Sequence, residues 1–391
     1  MTQIVLKGCE LENRGDRVRL TARVSGAESL WFEVDQQYAW MLDIESVDAF
    51  FILYVWLAME NGQNLVVEAP VSERLSNAVS GQIKKMFLVL CPRLLDVDIQ
   101  IQQPCSEWSA MTQSSCATGF SGGVDSWYTA LQASQTEHPF DYYIFANTGQ
   151  HGLQRVDEVV LQRAAVAAQA LATMNKPLIV VNTNIDTIFR ERFQQRDVIG
   201  NISCVMALQR AISSYAYSSS YSPEESGVVQ HYDMAIMDPI LLPLLSTERT
   251  EFSSIGVGAT RIEKLRYIVG KPGFSGKLYV CIEKDLPIKN CGYCFKCRRT
   301  QLALDSLDQM KLAGINFDAV SYRKRRKGLL IGLFASAKTN ELDQEVTDEL
   351  TRRYGVKMLC YRLFGSLWFV IQKCLPGGVR WRVEKRMPYL F

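Results

Sequence analysis

Phe120-Ser121-Gly122-Gly123-Val124-Asp125-Ser126, running on into Trp127-Tyr128-Thr129-Ala130-Leu131, is the most informative stretch of the chain. A strand that ends in two glycines and then enters a helix turns several backbone N–H groups toward one point, and glycine lets a bulky anion come close to the chain. Phosphate suits such a turn. Ser121 and Ser126 offer hydroxyl donors, and Asp125 could hold the Mg²⁺ that accompanies a triphosphate. Ser121, Gly122, Gly123, Val124, Asp125 and Ser126 are therefore the candidate phosphate-binding residues. No Gly-Lys-Ser/Thr follows, which excludes a Walker loop, and the spacing does not match the dinucleotide fingerprint. The same residues also describe a tight turn capped by serine, with the glycines serving geometry alone.

On either side of this loop the pattern is that of an α/β fold. Short β-type runs at 142–146, 178–182 and 234–237 alternate with helical segments, and 154–174 carries Val156, Val160, Ala164, Ala167 and Leu171 at helical spacing. Such alternation predicts a parallel sheet covered on both faces. Upstream, strand-like alternation at 18–24 and 30–34 and helix-length segments at 47–60 and 71–90 predict a small α+β unit. The aperiodic stretch 102–115 reads as a linker. The expected domains are thus 1–108, 109–320 and 321–391, the last a mostly helical tail entered through the basic run Arg323-Lys324-Arg325-Arg326-Lys327.

With 391 residues, 48% hydrophobic and 21% charged, the chain has the balance of a globular protein, which excludes disordered and fibrous classes. Lys plus Arg number 43 and Asp plus Glu 41, a net charge of +2. That total does not describe a chain whose main partner is bulk nucleic acid or an anionic membrane, so any polyanion must bind at a local site. The longest apolar run, 49–59, is too short to cross a bilayer, and residues 1–10 lack the features of a signal peptide. A cytoplasmic location and no membrane partner are expected.

Four of the eleven cysteines crowd together as Cys281, Cys291, Cys294 and Cys297. Two overlapping C-x-x-C steps turn three thiolates toward one centre, and Cys281, after the strand-like 277–280, can close a tetrahedral shell. Zinc is the natural occupant, in a structural site, with Lys289, Lys296, Arg298 and Arg299 near enough in sequence to offset the thiolate charge. Free buried thiols, an iron–sulfur cluster and a redox pair remain the other readings of the same cysteines.

Ser-Gly-Gly-x-Asp-Ser resembles the signature of the PP-loop ATP pyrophosphatases. The resemblance implies an adenine nucleotide α-hydrolase-like sheet and cleavage of ATP between its α and β phosphates to give an adenylated intermediate. A cysteine cluster following the loop resembles, more narrowly, the 7-cyano-7-deazaguanine synthase (QueC) family. Thr148-Gly149-Gln150-His151 is similar to that family's Tyr-Gly-Gln segment, Gly200-Asn201 to its Gly-Arg-Asn, and Leu242-Pro243-Leu244 to its Thr-Pro-Leu. The likeness covers 116–305. Thr300 stands where the family has an arginine, and the ordinary enzyme lacks both the first hundred residues and the tail. Those additions point to the extended QueC-like proteins of bacterial anti-phage clusters, the QatC type among them. Some of these resemble ligases that join a deazaguanine carboxylate to a protein amine.

What the resemblance implies for this chain is an ATP-, Mg²⁺- and zinc-dependent carbon–nitrogen ligase acting on a deazapurine carboxylate, with ammonia or a protein as acceptor. Asn147 and Gly149 join the loop in binding ATP, and Asp125, Ser126, His151 and Arg261 are the candidate catalytic residues. A tRNA-modifying thiolase or ligase, or an adaptor that binds ATP without turnover, would use the same loop. Nucleic acid is the less favoured partner, and oligomerisation is open.

Weaker candidates have bland readings beside them. Arg261 and Lys264 lie in the first turn of a helix that could bind a carboxylate or phosphate, yet Thr260 and Glu263 form a capping box that needs no ligand. His151 could equally be a hydrogen-bonded loop residue. Asp186 and Asp238 are expected at strand ends, the usual rim for ligands. The basic run could hold an acidic partner or be a solvated linker.

Overall fold

Ser115–Gly119 forms a five-residue strand, β6, with a parallel neighbour on each side. The computed structural model in which it lies describes residues 3–135, 139–149, 156–189, 193–283, 289–387 and 390. The chain makes two compact units that interleave in sequence. The first comprises Met1–Phe120, Gln132–Val156 and Lys176–Gly258; the second comprises Ser121–Leu131, Asp157–Asn175 and Ala259–Phe391.

The first unit holds one ten-stranded, mostly parallel sheet in the order β10-β9-β6-β7-β8-β3-β2-β1-β4-β5. Its parallel half comprises β6, β7 (Tyr142–Asn147), β8 (Leu178–Thr183), β9 (Ile212–Ser218) and β10 (Glu251–Ile255). β7 and β8 extend to one side of β6, β9 and β10 to the other, so the winding direction reverses at β6. In open α/β sheets that reversal opens a crevice at the carboxyl ends of the strands, where ligands bind.

The other half comprises β1 (Gln3–Asn13), β2 (Arg17–Ser25), β3 (Trp31–Asp35), β4 (Asn64–Ser72) and β5 (Ile99–Cys105). It continues the same sheet through an antiparallel pairing of β3 with β8, Phe32 opposite Thr183 and Glu33 opposite Asn182. Asn184 bridges this junction: its side chain accepts from Trp31 N–H (2.9 Å) and donates to the Ser29 carbonyl (2.9 Å).

The apolar run that was too short to span a bilayer is the helix Asp48–Asn61, buried along almost its whole length. A helix that is hydrophobic all round has no solvent face, and this one is enclosed by the core of the first unit. Phe50 meets Phe32 with ring centroids 5.2 Å apart, and Trp56 meets Phe87 edge-on at 4.9 Å. Among the described residues no helix is long and apolar enough to cross a membrane.

Several expectations need correction. Residues 234–237 form a 3-10 turn and not a strand: Asp233 accepts from Ala235 N–H, and Asp238-Pro239 starts the helix Asp238–Leu244. Asp238 is therefore a helix residue, fully buried, and not a strand-end carboxylate. β9 and β10, rich in serine, take the places on the sheet. The stretch 102–115 is in part β5, and the sheet crosses the expected boundary near Trp108. The expected span 109–320 is shared between the two units. The segment 277–280 has no ladder, and the basic run lies inside the helix Ala319–Ser336, where Arg326 pairs with Asp305 (2.7 Å).

The tail is helical, as expected: Ala319–Ser336, Glu341–Tyr354, Leu359–Cys374 and Gly377–Arg386. Because Phe50 is fully buried, Phe50→Ala should cost about 3–5 kcal/mol, seen as a lower midpoint of urea unfolding followed by tryptophan fluorescence.

Candidate functional site

Gly122 has φ +77°, a conformation that only glycine adopts without strain, and it begins the turn into the helix Val124–Ala133. The turn rests on an extended segment of the same unit: Tyr279 N–H donates to the Gly122 carbonyl (2.8 Å) and Trp127 Nε1 to the Lys277 carbonyl (2.8 Å). Trp127 also packs edge-on against Phe274 at 5.1 Å. Ser121 is exposed, whereas Ser126 is buried and spends its hydroxyl proton on the Gly123 carbonyl (3.0 Å). The expected phosphate donor at 126 is thus a helix-start hydrogen bond, and Ser121 is the hydroxyl left facing solvent.

Asp125 is the centre of a two-cation clamp. Its Oδ2 meets Arg261 Nη1 at 2.6 Å and its Oδ1 meets Lys264 Nζ at 3.2 Å. Burial pushes this carboxyl up, but Arg261 and then Lys264 outweigh it and hold its pKa at about 2. Each of its oxygens is therefore paired with a side-chain cation. Lys264 itself is 1% exposed, and its ammonium lies 5.9 Å from the centre of the Tyr128 ring.

The two cations come from the helix Arg261–Val269, whose capping box between Thr260 and Glu263 is present as expected. Its first amides are also occupied. Glu345 of the tail accepts from Arg261 N–H (3.0 Å) and Ile262 N–H (2.5 Å), so a carboxylate of the chain already sits where an external anion was considered. Nothing in the local sequence announces Glu345, because it comes from a helix more than eighty positions away.

The four cysteines do converge. The Sγ atoms of Cys281, Cys291, Cys294 and Cys297 all lie within 4.8 Å of one another. A tetrahedral zinc with bonds of about 2.3 Å has sulfur–sulfur edges of about 3.8 Å, so the cluster fits a metal such as zinc. Backbone N–H groups point at the sulfurs as a thiolate set requires: Glu283 and Cys291 donate to Cys281 (3.4 Å each), and Tyr293 (3.4 Å) and Cys294 (3.2 Å) to Cys291.

Asn290, which the sequence did not single out, holds this shell to the extended segment. Its Oδ1 accepts from Val280 and Cys281 N–H (3.0 and 3.2 Å), and its Nδ2 donates to the Leu278 carbonyl (2.9 Å). Arg298 and Arg299 are committed elsewhere, to Asp343 at 3.5 and 2.5 Å, and are not simply counter-charges for the thiolates.

In the first unit, Asn147 ends β7 and donates to the Asn182 side chain (3.2 Å). Gly149 passes so close to Asp186 that a Cβ there would lie 2.2 Å from its Cβ. Asp186 pairs with the buried Arg196 (2.7 Å), which also donates to the Thr148 carbonyl (3.3 Å). Gly200 and Asn201 lie in the helix Asp197–Met206, with Gly200 in ordinary contact distance of Thr148, and Asp238 accepts from Ser219 (3.2 Å). Gln150 and His151 lie outside the described residues.

No protein-family model matches the chain, and neither a curated protein nor a solved structure matches it. What the site can do is therefore a question for its own residues.

Two outcomes are expected. Cys294→Ser lowers the zinc content measured by elemental analysis and lowers the melting temperature, because a structural metal contributes directly to folding free energy. The Asp125 carboxyl, followed by its ¹³C shift, titrates near 2, below the ordinary 3.8. Its clamp therefore stabilises fully above the ordinary value and fades as pH falls through about 2; Arg261→Met, removing one cation, raises that pKa.

Proposed function

We propose that the chain is an ATP-dependent carbon–nitrogen ligase of the PP-loop kind. It would activate a deazaguanine-type carboxylate as its adenylate and pass the acyl group to ammonia or a protein amine. The observation that carries this reading is the clamp. Asp125, in the first turn of the helix that leaves the glycine loop, holds Arg261 and Lys264 beside that loop within one compact unit. A turn of backbone donors with two fixed cations alongside is what a polyphosphate needs.

In the proposed reaction a carboxylate oxygen attacks the α phosphorus, the bond to the bridging α–β oxygen breaks, and pyrophosphate leaves. The amine nitrogen then attacks the acyl carbon, AMP departs, and the amine loses a proton. Loop amides and the Ser121 hydroxyl would hold the departing pyrophosphate, and Arg261 and Lys264 would steady its charge. Asn147 and Gly149 are assigned to the nucleotide, and His151 to the reacting group, by resemblance alone. Mg²⁺ is not assigned to Asp125. The cysteine cluster would carry structural zinc, which suits a reducing compartment such as the cytoplasm.

The test is incubation of the full chain with ATP and a panel of deazaguanine carboxylates, reading AMP, pyrophosphate and mass shifts on added amines. Carboxylate-dependent AMP formation is expected. AMP formation that instead requires tRNA, or tight ATP binding without turnover on any substrate, would overturn it. Asp125→Ala should abolish turnover but also remove a buried ion-pair partner of Arg261 and Lys264, costing about 3–5 kcal/mol. Ser121→Ala is the cleaner variant, because this hydroxyl is exposed: it should lower AMP formation about tenfold or more with the melting temperature unchanged.

A further inference from the structure

The near-neutral total charge conceals a strongly uneven tail. From Val356 to the C-terminus the chain carries seven Lys or Arg and a single acid, Glu384. Within that stretch the helix Leu359–Cys374 is amphipathic, and of its sixteen residues only Gly365 is buried.

Gly365 fixes which way the helix faces. A Cβ there would lie 2.5 Å from Phe334 Cβ, so this side lies directly on the helix Ala319–Ser336. Trp368 and Gln372, three and seven positions on, both donate to the Leu390 carbonyl (2.8 and 3.0 Å), which ties the end of the chain to the same side. The opposite side is apolar and open: Leu363 is 73% exposed, Leu367 57% and Val370 56%, and Val356 in the preceding turn is 80% exposed. Spacings of seven, four and three residues put these four on one line, widened by Leu359 and Phe364. Arg362 and Lys373, both exposed, border the line on one side, and exposed Arg380, Arg382 and Arg386 follow in the next helix.

We propose that this surface docks on an anionic lipid bilayer, the helix Leu359–Cys374 lying in the interface plane with its apolar line toward the acyl chains and its cations at the headgroups. Sixteen residues are too few to span the hydrocarbon, whose thickness requires about 20, so the helix lies on the membrane and does not cross it. An apolar face rimmed by Lys and Arg is the composition of interfacial helices. The cations also choose between occupants. A second copy stacked on the same face would bring two cationic tails together, whereas anionic headgroups neutralise them.

The full chain should sediment with vesicles of phosphatidylcholine containing phosphatidylserine, and at least about tenfold less with phosphatidylcholine alone or at high salt. Leu363→Glu with Leu367→Glu should abolish sedimentation on both vesicles. Arg380→Glu with Arg382→Glu should reduce it on the anionic ones only. Melting temperature and zinc content, unchanged in both variants because the substituted residues are exposed, confirm that they are folded. Equal recovery in the supernatant with and without anionic vesicles would overturn the proposal, as would vesicle binding that survives Leu363→Glu with Leu367→Glu. A dimer in analytical ultracentrifugation that these leucine substitutions dissociate, without vesicle binding, would assign the face to a second copy instead.

Discussion

The carboxylate of Asp125, held between Arg261 and Lys264, is the interaction on which the second unit is organised around its glycine loop. Three largely desolvated charges are costly individually, and pairing them offsets that cost. The clamp joins the helix that follows the loop to a helix that begins 136 positions later. That second helix is in turn capped by Glu345, which extends the linkage to the tail. The tail is thus part of the framework of the candidate site and not an appendage to it.

The four cysteines belong to the same unit. Their sulfurs and Asn290 fix the extended stretch from Leu278 to Cys281, and within that stretch Tyr279 supplies the amide that holds the Gly122 carbonyl. A closed thiolate shell has no open coordination position for chemistry. The cysteines border an extended segment, 277–280, that no sheet ladder supports. Asp343, shared by Arg298 and Arg299, anchors the helix Phe295–Ser306 that carries the last cysteine.

In the first unit the N-terminal strands are part of the one sheet, joined edge to edge through β3 and β8. A buried polar network supports that arrangement: Arg249 pairs with Asp43 (2.9 Å), while Gln209 donates to both Asp43 and Asp48 (2.8 Å each). Burial pushes the Asp48 carboxyl up to about 6, in spite of the hydrogen bonds from Gln209 and Ser72. The helix Asp48–Asn61 starts from this network, so residues near the beginning of the chain and residues beyond 200 are held by the same groups.

By itself the sequence determined what depends on neighbours along the chain. Strands at 18–24, 30–34, 142–146 and 178–182 and helices at 47–60 and 154–174 were legible from periodicity, as were the loop glycines, the capping box and the cysteine spacing, because each signal fits within a few turns. Where apolar content was the only cue, at 234–237, it misled: four residues cannot distinguish a strand from a turn, and the serine-rich strand at 212–218 lacked the cue altogether. Only tertiary structure decided that Asp125 meets two side-chain cations, that the Ser126 hydroxyl donates to the Gly123 carbonyl, that Glu345 covers the amides of Arg261 and Ile262, and that the first hundred residues extend the sheet. Each of these depends on groups far apart in the chain coming within hydrogen-bonding reach, and on the burial that makes their pairing obligatory; neither distance nor desolvation is written in local spacing.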